Sequence, residues 1–155
     1  SLILPKFIYT RKGEDLPNNT SENRITFNNY DAKGNITQYT LEGGIPVSIL
    51  WGYNKTQPIA KIENATNAQV TSLLGMSVTD TTEANMSAIN DLRVSLPNAM
   101  ISTYTYIPLV GVSSITDPKG DTMRYEYDSF GRLQAVFDKN GNKLSENEYH
   151  YATQN

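Results

Sequence analysis

The four-residue pattern Asp-x-x-Gly occurs four times in this chain of 155 residues and constrains its fold more than any other feature. Asp favours the first position of a type I turn, where its carboxylate accepts a hydrogen bond from the backbone two residues further on. Gly at the fourth position supplies the left-handed residue that closes the turn into a bulged hairpin. The pattern therefore predicts structural turns at Asp31 and Gly34, Asp117 and Gly120, Asp128 and Gly131, and Asp138 and Gly141.

A longer repeat becomes visible when the chain is aligned on a tyrosine. The anchors lie 23, 53 and 21 residues apart, at Tyr30, Tyr53, Tyr106 and Tyr127. The side chain is apolar six and nine residues after every anchor. Three anchors also have an aromatic residue two positions earlier, at Trp51, Tyr104 and Tyr125. A period near 22 residues is typical of repeat architectures, and these units are predicted to be a β-meander of hairpins.

The gap of 53 residues holds one repeat and an insertion, placed at 65–97, with helical periodicity. Thr66-x-x-Gln69 and Asp80-x-x-Glu83 both have the pattern of a capping box. The apolar positions at helical spacing are Val70, Leu73, Leu74, Met86, Ile89, Leu92 and Leu96. Gly75 and Pro97 are suited to end the two segments, so helices are predicted over 67–74 and 81–95. This αα-hairpin is expected to pack its apolar face on the sheet.

The predicted fold class is therefore mainly β, an antiparallel meander that forms a curved sheet within a single domain over 1–155. Residues 11–23 are predicted to form an exposed loop. The predicted strands lie near 2–9, 24–30, 35–42, 46–53, 58–64, 100–106, 111–117, 121–128, 132–138 and 143–151. The strand-like start at Ser1 suggests a piece excised from a longer protein.

Composition excludes several classes of function. Net charge is −3 and no basic cluster is present, so nucleic-acid binding through phosphate neutralisation is not expected. The absence of cysteine excludes disulfides and a thiol nucleophile. No apolar run reaches about 18 residues, so direct membrane insertion is not expected either.

The segment Tyr-Glu-Tyr-Asp-Ser-Phe-Gly-Arg-Leu, residues 125–133, resembles a YD repeat, the tyrosine–aspartate unit of the Rhs and teneurin-like proteins. Residues 136–142 continue the same consensus, 115–121 match its other half, and 30–36 are a further match. The layout, with Trp-Gly-Tyr at 51–53 and a helical insert, is similar to that of Rhs-like surface proteins of Bacteroidetes.

The resemblance implies a module of a large secreted or cell-surface protein of a bacterium, with other repeats of that protein as partners. In several such proteins the repeats wind a shell around a toxin, and others act in adhesion. Four repeats are too few to close a shell, and no toxin domain is visible in the chain.

The ionisable residues favour structural roles over chemical ones. The turn aspartates could be read as paired glycosidase carboxylates or calcium ligands, but each has a local turn role. His150 is the only histidine, and a structural role is favoured for it. The sequence therefore predicts no catalytic residue, no cofactor and no metal site. An enzyme would need two carboxylates that converge in a cleft with raised pKa values.

The aromatic residues leave two hypotheses open. Tyrosines at alternate positions of a strand form cross-strand ladders, which favours a structural scaffold. The alternative is an adhesion module whose exposed aromatic face binds a carbohydrate or a protein. That face would consist of Trp51, Tyr53, Tyr104, Tyr106, Tyr125 and Tyr127. Exposed edge strands also predict self-association of the isolated chain.

Overall fold

The computed structural model describes residues 3–10 and 22–149. It confirms the predicted fold class, because the described residues form ten antiparallel strands in meander order and two helices. The strands are β1 (Phe7–Thr10), β2 (Glu22–Tyr30), β3 (Ile36–Leu41), β4 (Pro46–Gly52), β5 (Gln57–Glu63), β6 (Met100–Ile107), β7 (Gly111–Thr116), β8 (Thr122–Tyr127), β9 (Leu133–Phe137) and β10 (Lys143–Glu146). The helices are α1 (Asn67–Leu74) and α2 (Met86–Ser95), and a 3-10 turn at Glu83–Asn85 leads into α2.

Most strand boundaries agree with prediction within two residues, and the terminal strands are shorter. β1 begins at Phe7 rather than near residue 2, since Pro5 has no N–H for a ladder. β10 ends at Glu146 rather than at 151. His150, Tyr151 and most of the predicted loop over 11–23 lie outside the described residues.

The chain divides into two compact units, Ser1–Ile101 and Ser102–Asn155. The single domain predicted over 1–155 stays a prediction. Among the described residues, no helix has both the length and the apolar character needed to cross a membrane.

The first unit is built on β1 to β5 and buries a core between β4, β5 and the insertion. Leu50 pairs with Ala60 and Ser48 with Ile62, so these side chains share one face of the sheet. The core cluster consists of Leu50, Ile59, Ala60, Ile62, Ala65, Val70, Val78, Ile89, Leu92 and Ile101. The prediction that the insertion packs its apolar face on the sheet is therefore confirmed.

The predicted capping box of α1 is confirmed, and the one predicted for the second helical segment is wrong. Thr66 accepts from the backbone N–H of Gln69, and Gly75 ends α1 in left-handed backbone at φ 69°. In the second segment the box joins Thr82 to Asn85 rather than Asp80 to Glu83. The helical backbone begins at Glu83, which makes Thr82 the N-cap and leaves the Glu83 carboxylate for another contact.

One predicted core position of α1 is also wrong. Leu73 is 47% exposed, whereas Val70 is fully buried and Leu74 packs against the core cluster. A helix of eight residues presents a narrow stripe to the sheet, and positions 70 and 74 lie on that stripe one turn apart.

The insertion crosses the face of the sheet from one end of β5 to the other and returns. Where it starts, the Ser48 hydroxyl donates to the carbonyl of Ala65 at 2.9 Å. Halfway along, the Lys55 ammonium donates to the carbonyl of Thr81. After α2, an Arg93 guanidinium nitrogen donates to the carbonyl of Ile101 at 2.9 Å. The insertion is thus a strap that holds both ends of the β4–β5 hairpin.

The second unit is a meander with a thin core. β7, β8, β9 and β10 pair in succession, and Ala135 and Val136 of β9 are its buried apolar side chains in the described part of the unit. Tyr125 pairs with Val136, and Tyr104 of β6 pairs with Ile115. These aromatic–aliphatic pairs and the turns therefore carry much of the order in this unit.

Candidate functional site

The four Asp-x-x-Gly turns share one set of hydrogen bonds. In each, the Asp Oδ1 atom accepts from the backbone N–H groups two and four residues further on, at 2.8–3.0 Å. The Asp N–H donates to the carbonyl four residues on at 2.9 Å, and the Gly N–H donates to the Asp carbonyl at 2.9–3.1 Å. The four glycines have φ between 75° and 87°. The carboxylate therefore organises the whole turn, including the first residue after the glycine.

The residue after each glycine contributes more than the sequence pattern indicated. Asn35, Arg132 and Asn142 each donate a side-chain N–H to the Oδ2 atom of the turn aspartate, at 2.7–2.9 Å. In the remaining turn, at Asp117 and Gly120, Asp121 takes this position and its carboxylate accepts from the Lys139 ammonium at 2.9 Å. A donor side chain four residues after the aspartate is visible in the sequence and could have been included in the motif.

These contacts stabilise the charged form of the groups involved. The backbone N–H of Arg132 is the main cause that lowers the pKa of Asp128 below its ordinary value. The side chain of Asn142 does the same for the pKa of Asp138, and the Asp121 carboxylate raises the pKa of Lys139. A general acid at neutral pH needs a raised carboxyl pKa, so Asp128 and Asp138 are tuned away from that role.

Three tyrosine hydroxyls bond main-chain carbonyls that lie earlier in the chain, and two of these tyrosines, Tyr30 and Tyr127, directly precede a turn aspartate. The Tyr127 hydroxyl donates to the carbonyl of Val112 at 2.8 Å. The Tyr149 hydroxyl donates to the carbonyl of Leu133 at 2.9 Å, and that of Tyr30 donates to Pro5. Tyr149 lies 22 residues after Tyr127 and was not among the predicted site residues, although the repeat period points to it.

The six residues of the predicted aromatic face are all half-buried. Tyr104, Tyr106, Tyr125 and Tyr127 lie in the second unit and pair across strands with Ile115, Val112, Val136 and Leu133. In the first unit Trp51 and Tyr53 are not brought together. Tyr53 packs against the core cluster under the insertion, because β4 ends at Gly52 and strand alternation stops there.

Trp51 instead lines an apolar cavity of about 380 Å³, which we term the Trp51 groove. Its Nε1 atom donates to the carbonyl of Ile36 at 2.9 Å. The lining residues come from β2 to β5 and are Ile25, Phe27, Ile36, Tyr39, Leu41, Ile49, Trp51 and Pro58. Aromatic and aliphatic side chains of the first unit thus form an apolar concavity around Trp51.

The β4–β5 turn has unusual backbone. Tyr53, Asn54 and Lys55 adopt left-handed φ values of 50°, 56° and 62°. Each such non-glycine residue costs of order 1–3 kcal/mol and persists only where its surroundings hold it. Here the Tyr53 N–H donates to Glu83 Oε2 at 2.7 Å, and the Asn35 side chain donates to the Lys55 carbonyl at 2.9 Å.

Charge also surrounds this turn. Burial lowers the pKa of Lys55, and Asp31, Asp80 and Glu83 act in the opposite direction. The Tyr53 N–H is the main cause that lowers the pKa of Glu83. The strap therefore holds the strained turn by two contacts. The Glu83 carboxylate accepts from the Tyr53 N–H, and the Thr81 carbonyl accepts from the Lys55 ammonium.

The Glu83 contact predicts a pH-dependent contribution to stability. Because its pKa is lowered on folding, ionised Glu83 stabilises the fold above the ordinary carboxyl range near 4.5. That contribution is lost as the pH falls through the lowered folded pKa. Thermal unfolding of wild type and Glu83→Gln at pH 7 and pH 3 should show a gap in Tm at pH 7 that narrows at pH 3. A gap that is equal at both pH values would contradict this role.

Within residues 3–10 and 22–149, no group of three or more His, Asp or Glu side chains is placed to hold a metal ion. His150 lies outside those ranges. The turn carboxylates face their own backbone, so they offer no shared donor set.

The hairpins joined by aspartate turns and tyrosine hydroxyls define an antiparallel β-hairpin repeat protein. Residues 111–143, which contain three of the four turns, match the family model of the RHS repeat. Residues 111–143 therefore contain an RHS repeat, also called a YD repeat, in agreement with the sequence resemblance.

Among solved structures, the chain is similar to a crystal structure of TcdB2-TccC3 and to one of TcdB2-TccC3-Cdc42. Each is 14% identical over 85% of this chain, with a TM-score of 0.47. The chain spans 7% of the length of those chains. A comparison with curated proteins gave no match.

Proposed function

We propose that this chain is a non-enzymatic structural module of a larger RHS-repeat protein, in which repeated hairpins extend one β-sheet. The observation that carries the proposal is the identical hydrogen-bond set in all four aspartate turns. A catalytic aspartate would have surroundings that differ from those of the other three turn aspartates. A structural aspartate can have the same surroundings in every turn.

The tyrosine hydroxyls support the same proposal. Tyr127 and Tyr149 bond main-chain carbonyls of Val112 and Leu133, which lie 21 residues apart. Two successive hairpins of the second unit are thus each anchored to a preceding strand, as expected for repeats whose stability comes from each unit and its interface with the neighbouring unit.

Other repeats of the parent protein are the proposed partners. All four residues of β10 are exposed, and among the described residues this strand pairs with β9, so its other side is a template for a further strand. Lys143 and Glu146 place charge on this edge, which limits unspecific pairing. In the isolated chain the same edge favours self-association.

We place the parent protein outside the cell or on the cell surface of a bacterium, by analogy with the RHS-repeat class. Roles in adhesion or as part of a toxin-enclosing shell would both use the module as a wall element. Immunolabelling of intact cells with antibody against this chain would test the location, and labelling that requires lysis would contradict it.

The structural role is tested by removing one turn carboxylate. Asp31→Ala deletes the acceptor of the Lys33 N–H, the Asn35 N–H and the Asn35 side chain. At about 1 kcal/mol for each lost bond, we expect the free energy of unfolding to fall by about 2–3 kcal/mol. Urea unfolding followed through the fluorescence of Trp51 measures it.

Asp91→Ala is the matched control, because Asp91 is exposed on α2 and should change stability by no more than about 0.5 kcal/mol. Equal stability of the Asp31 and Asp91 variants would refute a structural role for the turn carboxylate.

A further inference from the structure

The chemistry of the Trp51 groove is almost wholly apolar. Of its eight lining side chains, only those of Trp51 and Tyr39 carry a polar atom, and none is charged. The Trp51 nitrogen is already engaged with the carbonyl of Ile36. The Tyr39 hydroxyl is thus the remaining polar group that the lining side chains supply.

The groove is built from cross-strand pairs whose side chains share one face. Phe27 pairs with Tyr39, Ile25 with Leu41, and Trp51 with Pro58. Register shifts occur beside it, between Leu50 and Trp51 and after Phe27. Such bulges bend strands and re-aim side chains, as expected beside a concave part of a sheet.

We propose that the Trp51 groove binds a neutral, mainly apolar small molecule that carries at most one hydrogen-bonding group, which meets the Tyr39 hydroxyl. The volume of about 380 Å³ lies within the range of about 300–1,000 Å³ typical of small-molecule sites. A charged ligand would lose its hydration against apolar walls without gaining a partner.

The same lining disfavours two other occupants. A carbohydrate carries many hydroxyl groups, each of which needs a polar partner when water is removed, and one tyrosine hydroxyl does not meet that need. A second copy of the chain would present the same concave surface, and two concave surfaces leave a void between them.

The test uses the full chain and two fluorescent probes that differ in charge. Trp51 is the only tryptophan, so its emission reports directly on the groove. Neutral phenylnaphthylamine should bind with one-to-one saturation and quench Trp51. Its anionic sulfonate analogue should bind about ten-fold more weakly, which corresponds to about 1.4 kcal/mol.

Variants assign the binding to the groove. Ile25→Lys places an ammonium in the lining and should weaken probe binding by about ten-fold or more. Ile45→Lys is the matched control, because Ile45 is 45% exposed in the same unit and does not line the groove. Leu41→Lys replaces the first variant if circular dichroism shows that Ile25→Lys is unfolded.

Three outcomes would overturn the proposal. The first is the absence of saturable quenching in the wild-type chain. The second is equal affinity of the wild type and the folded lysine variant of the lining for the neutral probe. The third is a dimer in sedimentation experiments in which Trp51 is shielded from the probe. The last would identify a second copy as the occupant. None of these outcomes affects the structural role of the aspartate turns, since they lie outside the groove.

Discussion

Ile89→Ala is expected to lower the free energy of unfolding by about 2–5 kcal/mol, the cost of a large-to-small change in a packed core. Ile89 is fully buried in the cluster that joins α2 to β4 and β5. The strap cannot collapse fully onto the lost volume, because its two ends and its midpoint are fixed by hydrogen bonds to the sheet. Urea unfolding monitored by Trp51 fluorescence measures the change.

Val94→Ala is the control for this effect on the same helix. Val94 is 86% exposed, so the substitution should change the free energy of unfolding by no more than about 0.5 kcal/mol. Similar losses for the Ile89 and Val94 variants would show that the insertion is not packed on the sheet as described.

Gly111→Ala is expected to destabilise the second unit by about 2–4 kcal/mol, from overpacking and a lost hydrogen bond. A Cβ atom at this position would lie 2.6 Å from the Tyr127 hydroxyl oxygen and 3.0 Å from the ring carbon that bears it. The tyrosine would have to move and give up its bond to the carbonyl of Val112. Circular dichroism during thermal unfolding provides the measurement.

A double variant tests whether the Tyr127 hydroxyl, rather than the rest of its ring, causes the destabilisation by Gly111→Ala. Adding Tyr127→Phe to Gly111→Ala removes the nearest atom and should recover part of the lost stability. If the double variant loses as much as the two single variants added together, the contact between residues 111 and 127 is not the cause.

The aspartate turns and the helices were predictable because residues close together in the sequence determine them. Each turn depends on four or five consecutive residues, and the cap of α1 joins Thr66 to Gln69. The alternation of apolar residues also located β4 and β5 within about one residue. Short-range physical chemistry therefore predicted the elements well.

The contacts of the strap were not predictable in the same way. The Glu83 carboxylate accepts from the Tyr53 N–H, which lies 30 residues earlier in the sequence. No sequence pattern predicts the three consecutive left-handed residues at 53–55. For the same reason the spacing of Trp51 and Tyr53 predicted one shared face, whereas the structure places Trp51 in the groove and Tyr53 against the core cluster. The Trp51 groove depends on strand bulges, which appear only when the register of neighbouring strands is known.

The most direct test of the repeated structural turn is residue-resolved hydrogen exchange of the full chain. The amides two and four residues after each turn aspartate should exchange far more slowly than in an unstructured peptide, and to a similar degree in all four turns. They belong to Lys33, Asn35, Lys119, Asp121, Phe130, Arg132, Asn140 and Asn142. In Asp128→Ala, protection should be lost at Phe130 and Arg132 and kept at Lys33 and Asn35. Fast exchange at these amides in the wild type, or unchanged protection in the variant, would contradict the account.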